Sequence, residues 1–295
     1  MDKVALLESI AAGGATGSTM AQRFGVSRAM IWKAVEALRA EGLCIEGTPG
    51  AGYRLEAGRG FGPVSLAWRC ARPVHFFKCC DSTNAQARRL LAEDASASPL
   101  VVADAQTAGR GRRGRSWRSK PGENLLFSLV LRPNVVPQYA PRCVLAWAAA
   151  MAQALDVYVK WPNDLVTQTG AKLGGILAEL DAEGDRVRTV ILGVGVNVNQ
   201  RDFDDLPTAT SLARERGVSI ARAPLLATLI EAIEAVDTSG APSLDLWRNR
   251  SHTLGRQVRV GQVTGMATAL RDDGALMVGE QAILAGDVEL LGPFR

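Results

Sequence analysis

Apolar residues in the first part of the chain recur at helical spacing and are separated by short glycine-containing turns. This pattern predicts three helices, over residues 4–10, 20–24 and 27–39. Ser18 or Thr19 is expected to cap the second helix, and Ser27 is expected to cap the third, because short polar side chains satisfy the free N–H groups of a first helical turn.

A hairpin and a linker are predicted after the third helix. Residues 44–45 and 53–55 flank a Pro49-Gly50-Ala51-Gly52 turn, which predicts two short strands. Helices followed by a hairpin are typical of a winged helix-turn-helix, so this domain is assigned to residues 1–60. The linker to the next domain is expected at Gly58, Gly60, Gly62 and Pro63.

From residue 64 to residue 246 the pattern alternates between strands and helices. Strands rich in Val, Ile and Leu are predicted at Leu100–Ala103, Leu125–Leu131, 157–161, 174–180 and 187–198. Helices are predicted at residues 82–91, 141–155 and 223–236. Strands adjoin one another as often as helices separate them, so an α+β domain with a mixed sheet is favoured over a regular doubly wound fold.

Residues 250–295 form a third segment with a different pattern. Short apolar strands are predicted at residues 258–260, 266–270, 276–278 and 288–291, with glycine- and aspartate-rich turns between them. This spacing predicts a small all-β barrel. The chain is therefore expected to be a multidomain α+β protein.

Composition excludes several classes of protein. The chain is 47% hydrophobic and 22% charged, which is ordinary for a globular protein. Its longest apolar run, residues 144–155, is too short for a membrane span, and its N-terminus lacks the pattern of an export signal. The five cysteines include no C-x-x-C pair. We therefore expect free thiols, a cytoplasmic location and no protein-bound structural metal.

The motifs of several common enzyme classes are missing. The two histidines, His75 and His252, are far apart in sequence, and no H-E-x-x-H, G-x-S-x-G or G-x-x-x-x-G-K-[ST] motif occurs. Metal-hydrolase, α/β-hydrolase and P-loop interpretations therefore have no support.

A basic, glycine-rich segment follows the strand predicted at Leu100–Ala103. Six of the eleven residues from 110 to 120 are basic, although the net charge is only +4. In Gly109-Arg110-Gly111-Arg112-Arg113-Gly114-Arg115 the glycines let backbone N–H groups approach an anion, and the guanidinium groups suit carboxylate or phosphate oxygens. The glycines match G-x-G-x-x-G, but Ser116-Trp117 and a new strand follow where a dinucleotide site requires a helix. A solvated basic loop is the alternative.

Two lysines lie where predicted strands meet polar turns. Lys160-Trp161-Pro162-Asn163-Asp164 follows a strand and would hold its Asn-Asp pair at the strand end, with a purely structural turn as the alternative. Lys172 begins Lys172-Leu173-Gly174-Gly175, which opens another strand. A partly desolvated lysine at such a place is a good point charge for a carboxylate or phosphoryl oxygen.

Two further motifs are candidates for ligand contact. Gly193-Val194-Gly195-Val196-Asn197-Val198-Asn199 predicts a strand whose glycines leave room for a flat ligand and whose asparagines share one face. Ser82-Thr83-Asn84 is a helix N-cap signature first, and it could also hydrogen-bond a small polar ring. Together the motifs predict a site for a carboxylate and a phosphate, as in an ATP-dependent enzyme that activates a carboxylate by positioning and charge neutralisation.

These motifs resemble those of biotin–protein ligases in order and approximate spacing. The resemblance rests on Asp81-Ser82-Thr83-Asn84, Gln106-Thr107-Ala108 before the basic loop, Lys160 to Asp164, Lys172 to Glu179, and Gly193 to Asn199. The N-terminal and C-terminal segments also resemble those of the bifunctional ligase/repressor subgroup. The resemblance implies a winged helix-turn-helix, a ligase domain and a small SH3-like β-barrel.

The resemblance also implies a role for each motif. The ureido ring of biotin would be hydrogen-bonded by Ser82, Thr83, Asn84 and Gln106. The ligand carboxylate and the adenylate phosphate would be held by a loop comprising Gly109, Arg110, Gly111, Arg112, Arg113, Gly114 and Arg115. The adenylate pocket would be lined by Trp117, Asn163, Asp164, Gly193, Gly195 and Asn197. Lys172 would contact the reacting oxygens, and the catalytic residues would be Lys172 and Arg110.

The implied reaction has two steps. Biotin and ATP, accompanied by Mg²⁺, would give biotinyl-5′-AMP and pyrophosphate, and a lysine of the biotin carboxyl carrier protein would then attack the anhydride. The implied repressor would bind operator DNA as a ligand-promoted homodimer through the helix at residues 27–39. The expected DNA-facing residues are Ser27, Arg28, Trp32 and Lys33.

Three other interpretations stay open. The chain could be a monofunctional biotin ligase with a vestigial helix-turn-helix domain, because Trp32 and Glu36 are unusual on a DNA-facing surface. It could be a DNA-binding regulator that senses a small carboxylate, although a sensor need not keep Lys172 and the basic loop. A lipoate ligase is a further alternative, less favoured because of the Gly-Arg-rich loop.

Overall fold

The computed structural model describes residues 1–13, 16–48, 50–56, 60–203 and 206–292. The chain divides into two compact units. Unit 1 comprises residues 1–76 and 220–227, and unit 2 comprises residues 77–219 and 228–295. Pro49 of the predicted turn and Gly58 of the predicted linker lie outside the described residues. The domain limits inferred from the sequence stay predictions.

Unit 1 begins with the predicted run of three helices and a hairpin. Its elements are α1 (Lys3–Ala11), α2 (Gly17–Phe24), α3 (Arg28–Ala40), β1 (Ile45–Thr48), β2 (Gly52–Leu55) and α4 (Pro63–Arg69). Strands β1 and β2 are antiparallel, with Ile45 opposite Leu55. Helix α4 was not predicted. Pro63, expected in the linker, lies in its first turn, where a missing N–H costs no helical hydrogen bond.

Side-chain caps mark where these helices begin. The Ser27 hydroxyl accepts a hydrogen bond from the Met30 N–H, so the predicted cap of α3 is confirmed. The expected cap of α2 at Ser18 or Thr19 is wrong, because Thr16 Oγ1 accepts from the Thr19 N–H. Thr16 has the extended backbone that a cap requires, whereas Ser18 and Thr19 lie inside the helix.

The core of unit 1 consists of the apolar positions that repeat along its helices. The buried side chains of these helices are Leu6, Leu7, Ile10, Met20, Ala21, Ile31, Ala34, Val35 and Leu38. One face of each helix is therefore buried, as an amphipathic pattern predicts. The opposite face of α3 is exposed: Met30 is 47% accessible and Trp32 is 54% accessible.

A seven-stranded sheet begins at residue 74. Its strands and the helices around them are β3 (Val74–Phe77), α5 (Thr83–Glu93), β4 (Leu100–Ala103), β5 (Leu125–Leu131), α6 (Ala140–Leu155), β6 (Tyr158–Lys160), β7 (Asp164–Val166), β8 (Lys172–Glu183), β9 (Arg186–Val196), α7 (Leu212–Arg216), α8 (Arg222–Glu234) and α9 (Asp245–Asn249). The strand order is β3-β4-β5-β9-β8-β7-β6. The pairs from β4 to β6 are antiparallel, whereas the bridge between Cys80 and Gln106 is parallel. The predicted mixed sheet with helices is thus observed.

Strand limits near the later part of the sheet differ from the prediction. Asp164, expected in a turn, begins β7, which pairs with both β6 and β8. Strand β9 ends at Val196, so Asn197 and Asn199 lie beyond it. The expectation that these asparagines share a strand face is therefore wrong. The chain bends at Val198 and Asn199. Just before this bend, Asn197 Nδ2 donates to the Thr210 carbonyl at 3.0 Å.

The C-terminal segment is a small all-β structure. Its strands are β10 (Gln257–Val260), β11 (Val263–Leu270), β12 (Leu276–Val278), β13 (Gln281–Ile283) and β14 (Val288–Leu290). They form one sheet in the order β13-β12-β11-β10-β14, and β13 was not predicted. Up to residue 292, where the description ends, no pairing joins β13 to β14, so closure into a barrel stays a proposal.

Two expectations from composition can be compared with the structure. No helix within the described ranges combines the length and the apolar character needed to cross a membrane. All five cysteines are free thiols, and Cys70, Cys80 and Cys143 are buried.

We predict that Leu38→Ala selectively loosens unit 1. Removing a fully buried leucine side chain costs about 2–5 kcal/mol, because a cavity remains in the core. Amide hydrogen exchange of residues 28–40, measured by mass spectrometry on the full chain, should therefore be much faster. Met30→Ala, on the exposed face of the same helix, is the matched control and should change little. Equal protection in both variants would contradict this packing.

Candidate functional site

Unit 2 contains a cavity of about 380 Å³ against strands β8 and β9. Its lining brings together all but three of the ligand-binding residues predicted from the sequence. The predicted residues that line it are Ser82, Thr83, Asn84, Gln106, Arg110, Gly111, Arg112, Arg115, Trp117, Asn163, Asp164, Lys172, Gly193, Gly195 and Asn197. The three that do not line it are Gly109, Arg113 and Gly114.

Part of the cavity wall was missed by the sequence analysis. Phe203, Leu206, Thr208 and Ala209 line the cavity but belong to no recognisable motif. They reach it because the Lys172 N–H donates to the Thr208 carbonyl at 2.7 Å, which fixes this segment beside the start of β8. The Thr210 N–H in turn donates to the Lys172 carbonyl at 2.9 Å, and such contacts between distant parts of the chain have no signal in the sequence.

Lys172 lies at the first position of β8 and points its ammonium group at Asp164. Its Nζ is 2.6 Å from Asp164 Oδ1, and both side chains line the cavity. Pairing of β7 with β8 brings the two residues together. Lys160 lines the same cavity, and burial lowers its pKa, an effect that nearby Asp164 opposes. Asp164 is thus paired with Lys172 and lies near Lys160 as well, and one carboxylate neutralises at most one of the two lysines.

The basic loop contacts other parts of the chain at several points. A short 3₁₀ turn spans Arg112–Gly114, with Arg113 at φ 54°. Arg112 Nη1 donates to Asn163 Oδ1 and to the Gly286 carbonyl, each at 3.3 Å, and burial lowers the pKa of Arg112. These contacts favour a built anion site over the alternative of a solvated basic loop.

Asp287 supplies the ion pairs of the loop. Arg115 Nη2 lies 2.7 Å from Asp287 Oδ2, and Arg113 Nη1 lies 3.8 Å from the same oxygen. Both arginine side chains are more than half exposed, so each pair is worth at most about 1 kcal/mol. The pairs therefore orient the loop without holding it strongly.

The indole of Trp117 lies directly on the backbone of β9. A Cβ atom added at Gly195 would come within 2.5 Å of the indole ring, so only glycine fits there. The Trp117 Nε1 is buried and has no hydrogen-bond partner among the described residues. A buried N–H without an acceptor is uncommon in a folded protein.

Hydroxyl and amide groups form the other end of the cavity. The Gln106 Oε1 accepts from the Thr83 N–H at 2.7 Å and from the Thr83 hydroxyl at 3.2 Å. Asn84 Nδ2 donates to the Leu177 carbonyl at 3.3 Å. Ser82 is at the N-cap position of α5, but its side chain makes no capping hydrogen bond. The N-cap interpretation of this motif is therefore wrong for the side chains, and Ser82 stays available to a ligand.

Asp81 anchors the start of α5 outside the cavity. Its carboxylate accepts hydrogen bonds from Arg89, the Ser82 N–H and Gln86, and these lower the pKa of Asp81. Because Asp81 carries these anchoring contacts, the next three residues can face the cavity.

The predicted DNA-facing residues lie together on α3 in unit 1. Ser27 caps the helix, and Arg28, Trp32 and Lys33 are exposed along it. Glu36, which appeared unfavourable for DNA binding, lies 2.6 Å from Arg39 Nη1. This pairing partly neutralises the carboxylate, so Glu36 is a weaker objection to DNA binding than the sequence indicated.

Comparisons with known proteins agree with this arrangement. A model of the biotin/lipoate A/B protein ligase family matches residues 76–197, and an HTH domain model matches residues 5–54. The chain is 34% identical to the bifunctional ligase/repressor BirA of Bacillus spizizenii, over 93% of both chains. It is 30% identical to the bifunctional ligase/repressor BirA of Escherichia coli, over 91% of this chain and 89% of that protein. The biotin protein ligase from Aquifex aeolicus, solved in complex with biotin and ATP, gives a TM-score of 0.58 at 27% identity, over 74% of this chain and 98% of that chain.

We predict that Gly193→Ala impairs ligand binding in this cavity without unfolding the protein. A Cβ at Gly193 would overlap the carboxamide of Asn84 and displace it. We expect at least about tenfold weaker biotin binding by calorimetry, because misplaced polar groups lose most of their binding energy. Gly240→Ala is the matched control, since an added Cβ there meets no atom within 4 Å. Unchanged biotin affinity in Gly193→Ala would show that the cavity does not bind biotin through this wall.

Proposed function

The chain belongs to the biotin/lipoate A/B protein ligase family, and we propose that it is an ATP-dependent biotin–protein ligase that also represses transcription. The observation that carries the ligase proposal is the cavity of unit 2. It combines a polar end suited to a small ring with a cluster of lysine and arginine side chains suited to a carboxylate and phosphates.

Biotin would bind with its ring at the polar end of the cavity. Ser82, Thr83, Asn84 and Gln106 offer hydroxyl and amide groups that match the N–H and C=O groups of a ureido ring. The biotin carboxylate would then point toward the lysines and the basic loop. This orientation places the reacting carboxylate among the positive charges.

ATP would occupy the part of the cavity formed by the glycines of β9 and by Trp117. Trp117, which packs on the backbone of β9 at Gly195, lines this part of the cavity and offers an aromatic side chain to the base. Asn163, Asp164 and Asn197 lie along the same cavity wall. Asn197 already donates its Nδ2 to Thr210, so it would contact the nucleotide mainly through its other groups.

The first chemical step needs charge neutralisation more than a dedicated base. A biotin carboxylate oxygen attacks the α-phosphorus of ATP, the bond to the β-phosphate oxygen breaks, and pyrophosphate leaves. Lys172 and Arg110 would stabilise the charge on the carboxylate and phosphoryl oxygens, because preorganised cations lower such barriers. The guanidinium groups of Arg112, Arg113 and Arg115, with the backbone of Gly109, Gly111 and Gly114, would hold the loop over the adenylate.

ATP would bring Mg²⁺ with it. Asp164 is one carboxylate in the cavity lining, and no group of three or more possible metal ligands occurs in the part of the chain that the structure describes. Mg²⁺ commonly binds through one or two carboxylates, water and substrate phosphates. Asp164 and the ATP phosphates therefore fit the expected ion.

The second step transfers biotin to the biotin carboxyl carrier protein. A lysine amine of the carrier attacks the carbonyl carbon of biotinyl-5′-AMP, an amide bond forms, and AMP leaves. The positive groups around the phosphate would stabilise AMP as the leaving group. We further propose a cytoplasmic location and closure of the C-terminal strands into an SH3-like barrel.

The repressor proposal rests on unit 1. The exposed α3 presents Arg28, Trp32 and Lys33 beside one another, as expected of a helix that enters the major groove. A homodimer promoted by biotinyl-5′-AMP would present two such helices to an operator that controls biotin synthesis. The alternative is a monofunctional ligase with a vestigial helix-turn-helix, which would show no specific DNA binding.

We predict that Lys172→Ala stays folded but forms biotinyl-5′-AMP about 10²–10³ times more slowly, because a charge at the transferring phosphoryl group is lost. Biotin-dependent exchange between ATP and pyrophosphate measures this rate. Lys78→Ala, which removes an exposed lysine outside the cavity, is the control and should exchange normally. Exchange by Lys172→Ala within a few-fold of the wild type would contradict the assigned role.

We predict that a variant carrying both Arg28→Ala and Lys33→Ala loses DNA binding while retaining ligase activity. Removing phosphate contacts should weaken binding to every DNA sequence. Each lost contact should also reduce the slope of log affinity against log salt concentration by about one. Gel shifts on the chain's own upstream region, with and without biotin and ATP, measure this effect. Lys3→Ala, at the start of α1, is the control.

The DNA experiment also separates the ligase from the repressor. Tighter wild-type binding in the presence of biotin and ATP is the expected result. A wild-type protein that ligates biotin but shifts no upstream or biotin-synthesis promoter fragment would support the vestigial alternative.

A further inference from the structure

Ser128 is a polar residue in the middle of a strand that is otherwise apolar. All seven residues of β5 are buried, and the exposed fraction of Ser128 is 0%. Its neighbours across the sheet are Val101 of β4 and Gly193 of β9. Burying a hydroxyl costs free energy unless it is hydrogen-bonded, so the hydrogen-bond partners of Ser128 indicate what its side chain does.

The partners of Ser128 are two residues of the cavity. Its Oγ lies 2.6 Å from Asn84 Oδ1 and 2.8 Å from Thr83 Oγ1. Gly193, opposite Ser128, has no side chain, and a Cβ there would overlap the Asn84 carboxamide. Ser128 therefore contacts the Asn84 carboxamide, and the missing side chain at Gly193 leaves the space that this carboxamide occupies.

The orientation of the Asn84 carboxamide follows from its second contact. The Leu177 carbonyl can only accept a hydrogen bond, so the Asn84 atom that faces it must be the nitrogen. The amide oxygen consequently faces Ser128, and an amide oxygen cannot donate. The single proton of the Ser128 hydroxyl is therefore used on Asn84 Oδ1.

The Thr83 hydroxyl lies between Ser128 and Gln106. Its Oγ1 is 2.8 Å from Ser128 Oγ and donates to Gln106 Oε1 at 3.2 Å. The identity of the Gln106 atom as oxygen follows from the Thr83 N–H, which also points at it. The Thr83 proton is therefore used within the protein, and Ser128 fixes the position of the hydroxyl from the other side.

We infer that Ser128 is a positioning residue that holds the Thr83 hydroxyl and the Asn84 carboxamide in the ring-binding part of the cavity. Thr83 Oγ1 has only lone pairs left for a ligand, and Gln106 turns its Nε2 donor away from Thr83. Thr83 as an acceptor and Gln106 as a donor therefore match a ring with an N–H donor beside a C=O acceptor. This inference rests on the proposed function and explains how a hydroxyl beneath the cavity wall favours a ureido ring.

The test compares ring binding with nucleotide use. In Ser128→Ala, Asn84 Oδ1 loses its donor and Thr83 Oγ1 loses its contact with Ser128 Oγ. We expect the Kd of the full-length protein for biotin, and for desthiobiotin, which keeps the ureido ring, to rise about tenfold in calorimetry. The KM for ATP at saturating biotin, from pyrophosphate exchange, should change less than twofold.

Two further variants test whether the hydroxyl itself matters. Ser128→Cys has nearly the same size and a weaker donor, so its Kd for biotin should lie between those of the wild type and Ser128→Ala. Thr189→Val removes a different buried hydroxyl from β9 outside the cavity and should leave the Kd unchanged. If Ser128→Ala fails to fold, Ser128→Cys with a wild-type Kd would overturn the inference.

The possible outcomes separate this inference from the proposed function. A wild-type protein that does not bind biotin would overturn the proposed function. Wild-type binding of biotin together with an unchanged Kd in Ser128→Ala would overturn only the role of Ser128. Equal weakening of biotin binding and of ATP use would also overturn it, because that result indicates a general loss of structure.

Discussion

The site depends on one constraint, which is that two side chains lie directly against the backbone of β9. At Gly193 and Gly195 the strand has no side chains, and the Asn84 carboxamide and the Trp117 indole lie in the space that a Cβ would fill. Helix α5 and the segment that follows the basic loop, which carry these groups, can therefore contact the same strand from separate parts of the sequence. Glycine weakens a strand interior, and the ladders on both sides of β9 compensate for this weakness.

The ion pairs around the cavity are incomplete, because cationic side chains outnumber the carboxylates there. Asp164 pairs with Lys172 and lies near Lys160, and Asp287 is shared by Arg113 and Arg115. The carboxylates orient the cationic groups and leave excess positive charge for an anion. An enzyme that joins a carboxylate to a phosphate without a catalytic histidine needs such preoriented charge, because preorganised groups need no rearrangement during the reaction.

Much of the fold near the N-terminus follows from local signals. The periodicity of unit 1 predicted its three helices, because each buries one apolar face, and Ser27 capped α3 as expected. Errors occurred where two local signals compete. Thr16 caps α2 in place of Ser18 or Thr19, and Pro63 begins a helix in place of ending a linker. Short strands such as β7 and β13 were missed because three residues are too few to show a period.

The sequence alone determined the chemistry of this protein, because the glycines, arginines and lysines of the site occur in contiguous motifs whose residue types indicate an anion site. It could not determine which of those groups face the cavity. Gly109, Arg113 and Gly114 do not line it, whereas Thr208 and Ala209 do, through backbone bonds to Lys172. The importance of Ser128 is equally invisible in sequence, since a serine between apolar residues has no local signal. Only the pairing of β5 with β9 and the packing of α5 place its hydroxyl against Thr83 and Asn84, and such contacts between distant residues form only when the chain folds.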